Sequence, residues 1–218
     1  MSSSPIVVGV DVGGEKKGFH AVALQDKEVI RRKQHKESEE IATWCLEVGA
    51  RYVGIDAPCG WSVECGGRRA EKRLRAEDIK SFYAPTEHEA STHRTDFYGW
   101  MKNGAALFKA LEPSYPLYKG DVSAIPEQAS FETFPHAAAW KLATPEEVKQ
   151  GKVAAKNKRA FRSELLQRHG IANRHLLTSI DWIDAALCAL TADFFSRGEI
   201  ESFGEPETGL IVVPEKQK

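Results

Sequence analysis

A chain of 218 residues with 42% hydrophobic side chains can bury one substantial core and is short for two, so a single domain carrying an insertion is expected over residues 1–218. Lys and Arg number 30 against 31 Asp and Glu, and the net charge of -1 excludes a general positive field for nucleic acid, leaving only local patches for that purpose. No apolar run approaches the roughly 20 residues that cross a bilayer. Met1 to Pro5 carries neither the basic flank nor the apolar stretch of a signal peptide, and the four cysteines lack zinc-ligand doublets, so a cytoplasmic protein is expected, with no membrane partner.

Ile6 to Val12 is an apolar run stopped by Gly13-Gly14, and Phe19 to Leu24 follows after Glu15-Lys16-Lys17, which predicts a hairpin. Glu28 to Lys33, mixed in polarity, suits a third strand at a sheet edge. Ser38 stands as N-cap before Glu39, Glu40 and the helically spaced Ile41, Trp44, Cys45 and Val48, and Gly49 ends that helix. Arg51 to Ile55 is a compact strand that delivers Asp56 to its own end, where Pro58 forbids further ladder. Cys59 to Gln128, rich in Gly and Pro, is read as an irregular insertion containing a basic helix. Ala129 to Phe134 is a strand ending at Pro135, followed by a short helix over Ala137 to Leu142. Lys156 to His169 and Thr178 to Phe195 have helical apolar spacing, Gly209 to Val213 suits a terminal strand, and the tail after Pro214 (214–218) is expected to be disordered.

Three positions could hold carboxylates rigidly: Asp11 on the first strand, Asp56 at a strand end, and Asp181 with Asp184 on the last long helix. Residues three apart on a helix share a face, and the apolar residues around these two imply a packed helix. Gathered carboxylates repel one another and resist desolvation, and a hard divalent cation relieves both costs. Singly, each acid has a plainer explanation: a turn former, a cap after Ser179, or a partner for Arg174 or Lys158.

Val8-Gly9-Val10-Asp11-Val12-Gly13, Gly54-Ile55-Asp56-Ala57-Pro58, Glu132-Thr133-Phe134-Pro135 and Asp181-Trp182-Ile183-Asp184-Ala185-Ala186 occur in that order. The chain resembles the family called domain of unknown function 429, regarded as predicted nucleases of the ribonuclease H-like superfamily. The resemblance implies an α/β fold, a ribonuclease H-like mixed sheet flanked by helices, with the helical insertion at about 59–128. It also implies that Asp11, Asp56, Asp181 and Asp184 hold Mg²⁺ or Mn²⁺ for hydrolysis of phosphodiester bonds in DNA or RNA. Glu132, at a strand end, is a further candidate for the acidic cluster or a surface acid.

Arg68, Arg69, Lys72, Arg73 and Arg75 could line a helix for a phosphate backbone, or form a solvated face paired with Glu71, Glu77 and Asp78. Lys158 and Arg162 share a face on the helix before the acidic one and could neutralise a transferred phosphate. The aromatics of the insertion, Tyr83, Phe97, Tyr98, Trp100, Tyr115 and Tyr118, are read as packing of a small subdomain before stacking platforms. The expected partner is a nucleic acid or nucleotide substrate; a homodimer is compatible with the sequence. An actin-like phosphotransferase shares the glycine-flanked Asp hairpin but needs a longer chain, and a non-catalytic nucleic-acid- or protein-binding module is the reading in which the acids are structural.

Overall fold

The computed structural model describes residues 4–120, 125–153 and 158–216. The chain opens with β1 (Ile6–Val12), β2 (Phe19–Gln25) and β3 (Glu28–His35), followed by α1 (Ser38–Glu47) and β4 (Ala50–Asp56). Next come α2 (Arg69–Ala76), α3 (Glu87–Thr92), a 3-10 turn at Asp96–Tyr98 and α4 (Gly99–Leu111), which together occupy the stretch 59–128. Then follow β5 (Ala129–Thr133), α5 (Pro135–Leu142), α6 (Pro145–Lys149), α7 (Lys158–Arg168), α8 (Ile180–Ser196), β6 (Ile200–Glu205) and β7 (Gly209–Pro214).

The strands form one sheet in the order β3-β2-β1-β4-β5-β7-β6, parallel from β1 through β4 and β5 to β7, with antiparallel hairpins at both edges. This is an α/β fold with a mixed sheet flanked by helices, as expected. Side chains alternate between the two faces of a strand. On β1, Val8, Val10 and Val12 join Val53 and Ile55 of β4 against α1 and α4. Val7 and Tyr52 face the other way, into the core built with α8. The same alternation carries Gly9 and Asp11 of β1, and Gly54 and Asp56 of β4, to the α8 face.

Register makes these residues neighbours, since Gly9 pairs with Gly54 and Asp11 with Asp56 across the parallel ladder. A methyl group on Gly9 would stand 2.0 Å from the Ala189 nitrogen and 2.1 Å from the Ala185 oxygen, and one on Gly54 2.8 Å from the Cys188 oxygen. The helix backbone therefore rests directly on the glycine pair, with Ala185, Cys188 and Ala189 completely buried above it.

Several boundaries differ from expectation. Glu37, with no side-chain cap bond, occupies the N-cap of α1, and Ser38 is its first helical residue. Helix α8 starts at Ile180, with the Ser179 hydroxyl accepting a hydrogen bond from the Trp182 amide. Strand β6 and the short α6 were not anticipated, although Thr144 and Glu147 form a capping box around Pro145. The predicted start of α7 at Lys156 and the last two residues of the tail lie outside the described residues. No helix among the described residues is long and apolar enough to cross a membrane.

Because the glycine contact is backbone against backbone, no rotamer change can relieve it. Gly9→Ala is expected to cost about 3 kcal/mol or more, read as a lower midpoint in urea unfolding; an unchanged midpoint would contradict this packing.

Candidate active site

Asp11 and Asp56 end their strands side by side at the carboxyl edge of the sheet, and α8 lays Asp184 over them from its first turns. Asp11 and Asp184 are buried; Asp56 is partly buried and faces a cavity of about 830 Å³ that Asp184 also lines. Two cations compensate the acids. The Lys17 ammonium, from the β1–β2 turn, lies 3.0 Å from Asp11 Oδ2 and 2.6 Å from Asp181 Oδ1. Arg162 of α7 donates from NH1 to Asp184 Oδ1. The Asp56 carboxylate accepts no hydrogen bond and enters no ion pair among the described residues, although Asp11, Asp184, Arg162 and Glu132 all act on it electrostatically.

The electrostatics follow from this inventory. Burial pushes the Asp11 carboxyl up to about 6, against the pull of the Lys17 ammonium and with added repulsion from Asp184 and Asp181. Burial, then repulsion from Asp11 and Asp184, holds Asp56 well above the usual carboxylate range. Asp184 is raised by burial and pulled back by Arg162. Burial opposes the charge on Lys17, but Asp181 and Asp11 outweigh it and keep the ammonium protonated. The site is thus a set of acids that resist full ionisation until positive charge arrives.

Among the described residues no three His, Cys, Asp or Glu side chains converge as a metal-ligand set, because Asp11 leans to Lys17 and Asp184 to Arg162. The donor chemistry nonetheless fits a hard divalent cation, which takes carboxylate oxygens. Asp56 lines the cavity with no acceptor bond among the described residues, and Lys17, 40% exposed on a flexible stem, supplies positive charge to Asp11 and Asp181. Asp11, Asp56 and Asp184 are the residues that would hold the ion, with Asp181 set further out on Lys17.

Glu132 does not belong to this cluster. Phe131 packs under α8, so Glu132 on the same strand points to the opposite face of the sheet. There it receives both terminal nitrogens of Arg68 at 2.8 and 2.7 Å and the Cys59 amide at 2.9 Å. Arg68 also binds Glu71, through Nε and NH2 at 2.9 and 2.6 Å. The expectation of Arg68 on a substrate-facing helix is therefore corrected: it precedes α2, its side chain is fully buried, and its guanidinium joins α2 and the 59 loop to β5. The other basic residues disperse. Arg69 pairs with Glu205, Arg73 donates to the Gly204 carbonyl, and Lys72 is exposed. Arg75 reaches the cavity wall with Lys158 and Arg162.

Lys17 is the functional candidate that sequence reasoning passed over, since a lysine in a charged turn reads as solvated. Its signal is the short hairpin itself, which folds a residue six positions after Asp11 back onto it; Asn103 of α4 fixes that turn by donating to the Gly13 carbonyl at 2.8 Å. His20, paired with Asp11 in register, packs edge-on against Trp182 with ring centroids 4.7 Å apart. Among the insertion aromatics, Tyr115 and Tyr118 are core residues, whereas Tyr83 lines the cavity and Phe97 is exposed.

A seven-stranded mixed sheet with acids at the carboxyl ends of its central strands defines an α/β protein with a polar site at the sheet edge. Residues 9–209 match the family described as "Protein of unknown function (DUF429)", and the chain belongs to that family. Neither the curated proteins nor the solved structures gave a match.

Two outcomes follow from the charges. The Asp11 carboxyl, at about 6 when folded against 3.8 as its ordinary value, binds its proton more tightly in the native state, so stability falls as pH rises through that window and stays lowered above it. Asp11→Asn removes the penalty. In the presence of a chelator the variant is expected to melt higher than wild type at pH 7, by an amount on the order of 1–3 kcal/mol, with the difference vanishing below pH 4. Arg68→Met, in contrast, strands two buried carboxylates and is expected to cost about 3–5 kcal/mol in denaturant unfolding. Adding Glu132→Gln should recover part of that loss; no recovery would mean the pair is not coupled.

Proposed function

We propose that this protein is a hydrolase of phosphodiester bonds in DNA or RNA that works with Mg²⁺ or Mn²⁺, a nuclease of the ribonuclease H-like superfamily. The observation that carries the reading is Asp56, an unpartnered acid facing the cavity beside Asp11 and Asp184, with cationic side chains on the adjoining wall. A structural acid at such cost would have acquired a partner, as Glu132 has.

In this reading the reaction breaks a P–O ester bond, forms a P–O bond to water, and releases an alcohol and a phosphomonoester. The bound cation supplies Lewis-acid charge to the phosphoryl oxygens and to water. Asp11, Asp56 and Asp184 would hold it on rigid strand ends and a packed helix. Arg162 and Lys158 contribute positive charge to the phosphate from the cavity wall. Lys17 compensates Asp11 and Asp181, a role that a bound cation would share.

Thermal unfolding with added Mg²⁺ or Mn²⁺, run beside cleavage of labelled single-stranded, duplex and branched substrates, tests the proposal. Wild type is expected to gain about 2.7 kcal/mol at a cation concentration a hundred times its Kd. Asp56→Asn should gain nothing and lose about a hundredfold or more in cleavage rate. A chain that neither responds to metal nor cuts any substrate would be a binding module whose acids are structural.

A further inference from the structure

The cavity beside the acids is not lined as a phosphate channel alone would be. Its lining includes Asp56, Asp184 and Arg162. Arg162 is 4% exposed, its only hydrogen bond among the described residues goes to Asp184, and its buried Nε has no partner. Arg162 lines the cavity with one carboxylate bound to it among the described residues, which leaves guanidinium donors for an anion's oxygens.

The lining is also aromatic. Phe134 and Trp140 line the cavity from α5 and the residue before it, partly buried against the core. Phe82 lines the cavity with them, 70% exposed and absent from every core cluster. Its neighbour Tyr83 is fixed by Arg75, whose guanidinium lies 4.1 Å from the ring centroid and donates to the Ser81 carbonyl at 3.3 Å. An ordered segment that holds a large apolar ring in water gains nothing from folding by doing so. His136 adds a further ring to this wall. Burial, then Arg162 and Lys158, push its imidazole down to about 4, so it is neutral at physiological pH.

We propose that this cavity receives one unpaired nucleotide unit, its phosphate against Arg162 and the acids and its base among Phe82, Phe134 and Trp140. The inference rests on the reading of the acids as a phosphoryl site and narrows its substrate class. A volume of about 830 Å³ lies within the roughly 300–1,000 Å³ of small-ligand pockets. A phosphodiester backbone has no need of aromatic walls, whereas a base offers a π face to them. Duplex binding draws on many phosphate contacts, and here Arg68, Arg69 and Arg73 are engaged within the protein at a net charge of -1. The same unit can arrive as a free nucleotide or as the end of a single strand.

The test measures tryptophan quenching with Mg²⁺ present for nucleoside 5′-monophosphates, a short single-stranded oligonucleotide, the duplex of the same sequence and inorganic phosphate, on wild type and Phe82→Ala. Whichever unpaired form binds better is expected to bind at least about tenfold tighter than duplex and than phosphate. Phe82→Ala should weaken that ligand about tenfold while leaving phosphate affinity and Tm unchanged, since the ring is exposed. Monophosphate tighter than oligonucleotide identifies a free-nucleotide site; the reverse identifies a strand terminus. Equal binding of duplex, equal binding of phosphate, or an unaffected Phe82→Ala overturns the proposal. Cleavage is scored separately: unpaired nucleotides bound but nothing cut would remove the hydrolase reading and keep the site, and duplex cut without nucleotide binding would do the opposite.

Discussion

The close approach of α8 to the sheet governs what the rest of the structure can do. A helix on a sheet ordinarily stands off by the length of its intervening side chains, about 10 Å between layers. Here two glycines in register, Gly9 and Gly54, let the backbone near Ala185, Cys188 and Ala189 sit directly on β1 and β4. Asp184 lies one residue before Ala185, and Asp11 and Asp56 lie two residues after the glycines on their strands. Lowering the helix therefore brings short aspartate side chains from three elements into one electrostatic neighbourhood, which longer acids at a looser interface would fill less rigidly.

That neighbourhood costs stability, and the chain holds two arrangements of buried charge that differ in how completely their acids are compensated. Arg68, Glu71 and Glu132 form a saturated set in which the guanidinium serves both carboxylates and the Cys59 amide completes Glu132. In the active-site candidate the compensation is partial. Lys17 is shared by two acids, Arg162 serves one, and Asp56 has none. A network left incomplete at this depth is a local departure from the rule that buried polar groups are paired, and such departures concentrate at sites that bind something.

The sheet was legible because its signals are local. Apolar runs bounded by turn residues marked the opening hairpin, Pro58 and Pro135 marked strand ends, and Asp56 was read at the end of its strand with Asp11 on the first. Alternation of side chains between the faces of a strand would have separated Glu132 from the cluster, since Phe131 and Thr133 share the α8 side of β5. What local pattern could not supply was pairing across long separations. Arg68 meets Glu132 across 64 positions, and nothing in a run of five cations between Arg68 and Arg75 says which one turns inward. Lys17 was passed over for a different reason, because a turn lysine is solvated in most hairpins and only the third-dimensional nearness of Asp181 gives it a second partner. Strand β6 escaped because its Glu-, Ser- and Gly-bearing sequence lacks the apolar density of a central strand, as befits an edge.

The sheet and the segments around it divide the building of the candidate site between them. The sheet edge and α8 supply the acids, which are fixed by packing and fit one kind of chemistry. The cavity around them is assembled from other pieces: the 75–83 segment of the insertion, the start of α5, and α7, which brings Lys158 and Arg162 by packing on α8. Loops and insertions tolerate change where central strands do not, because their side chains are not committed to the core. Arg75, Lys80, Lys158 and Arg162 all line this cavity, where low local dielectric makes each cation count for more than it would on an open surface. A uniformly basic exterior would raise affinity for any polyanion without favouring one. Concentrating a few cations beside aromatic rings ties attraction to shape, so that the ligand must fit the cavity before it feels the charge.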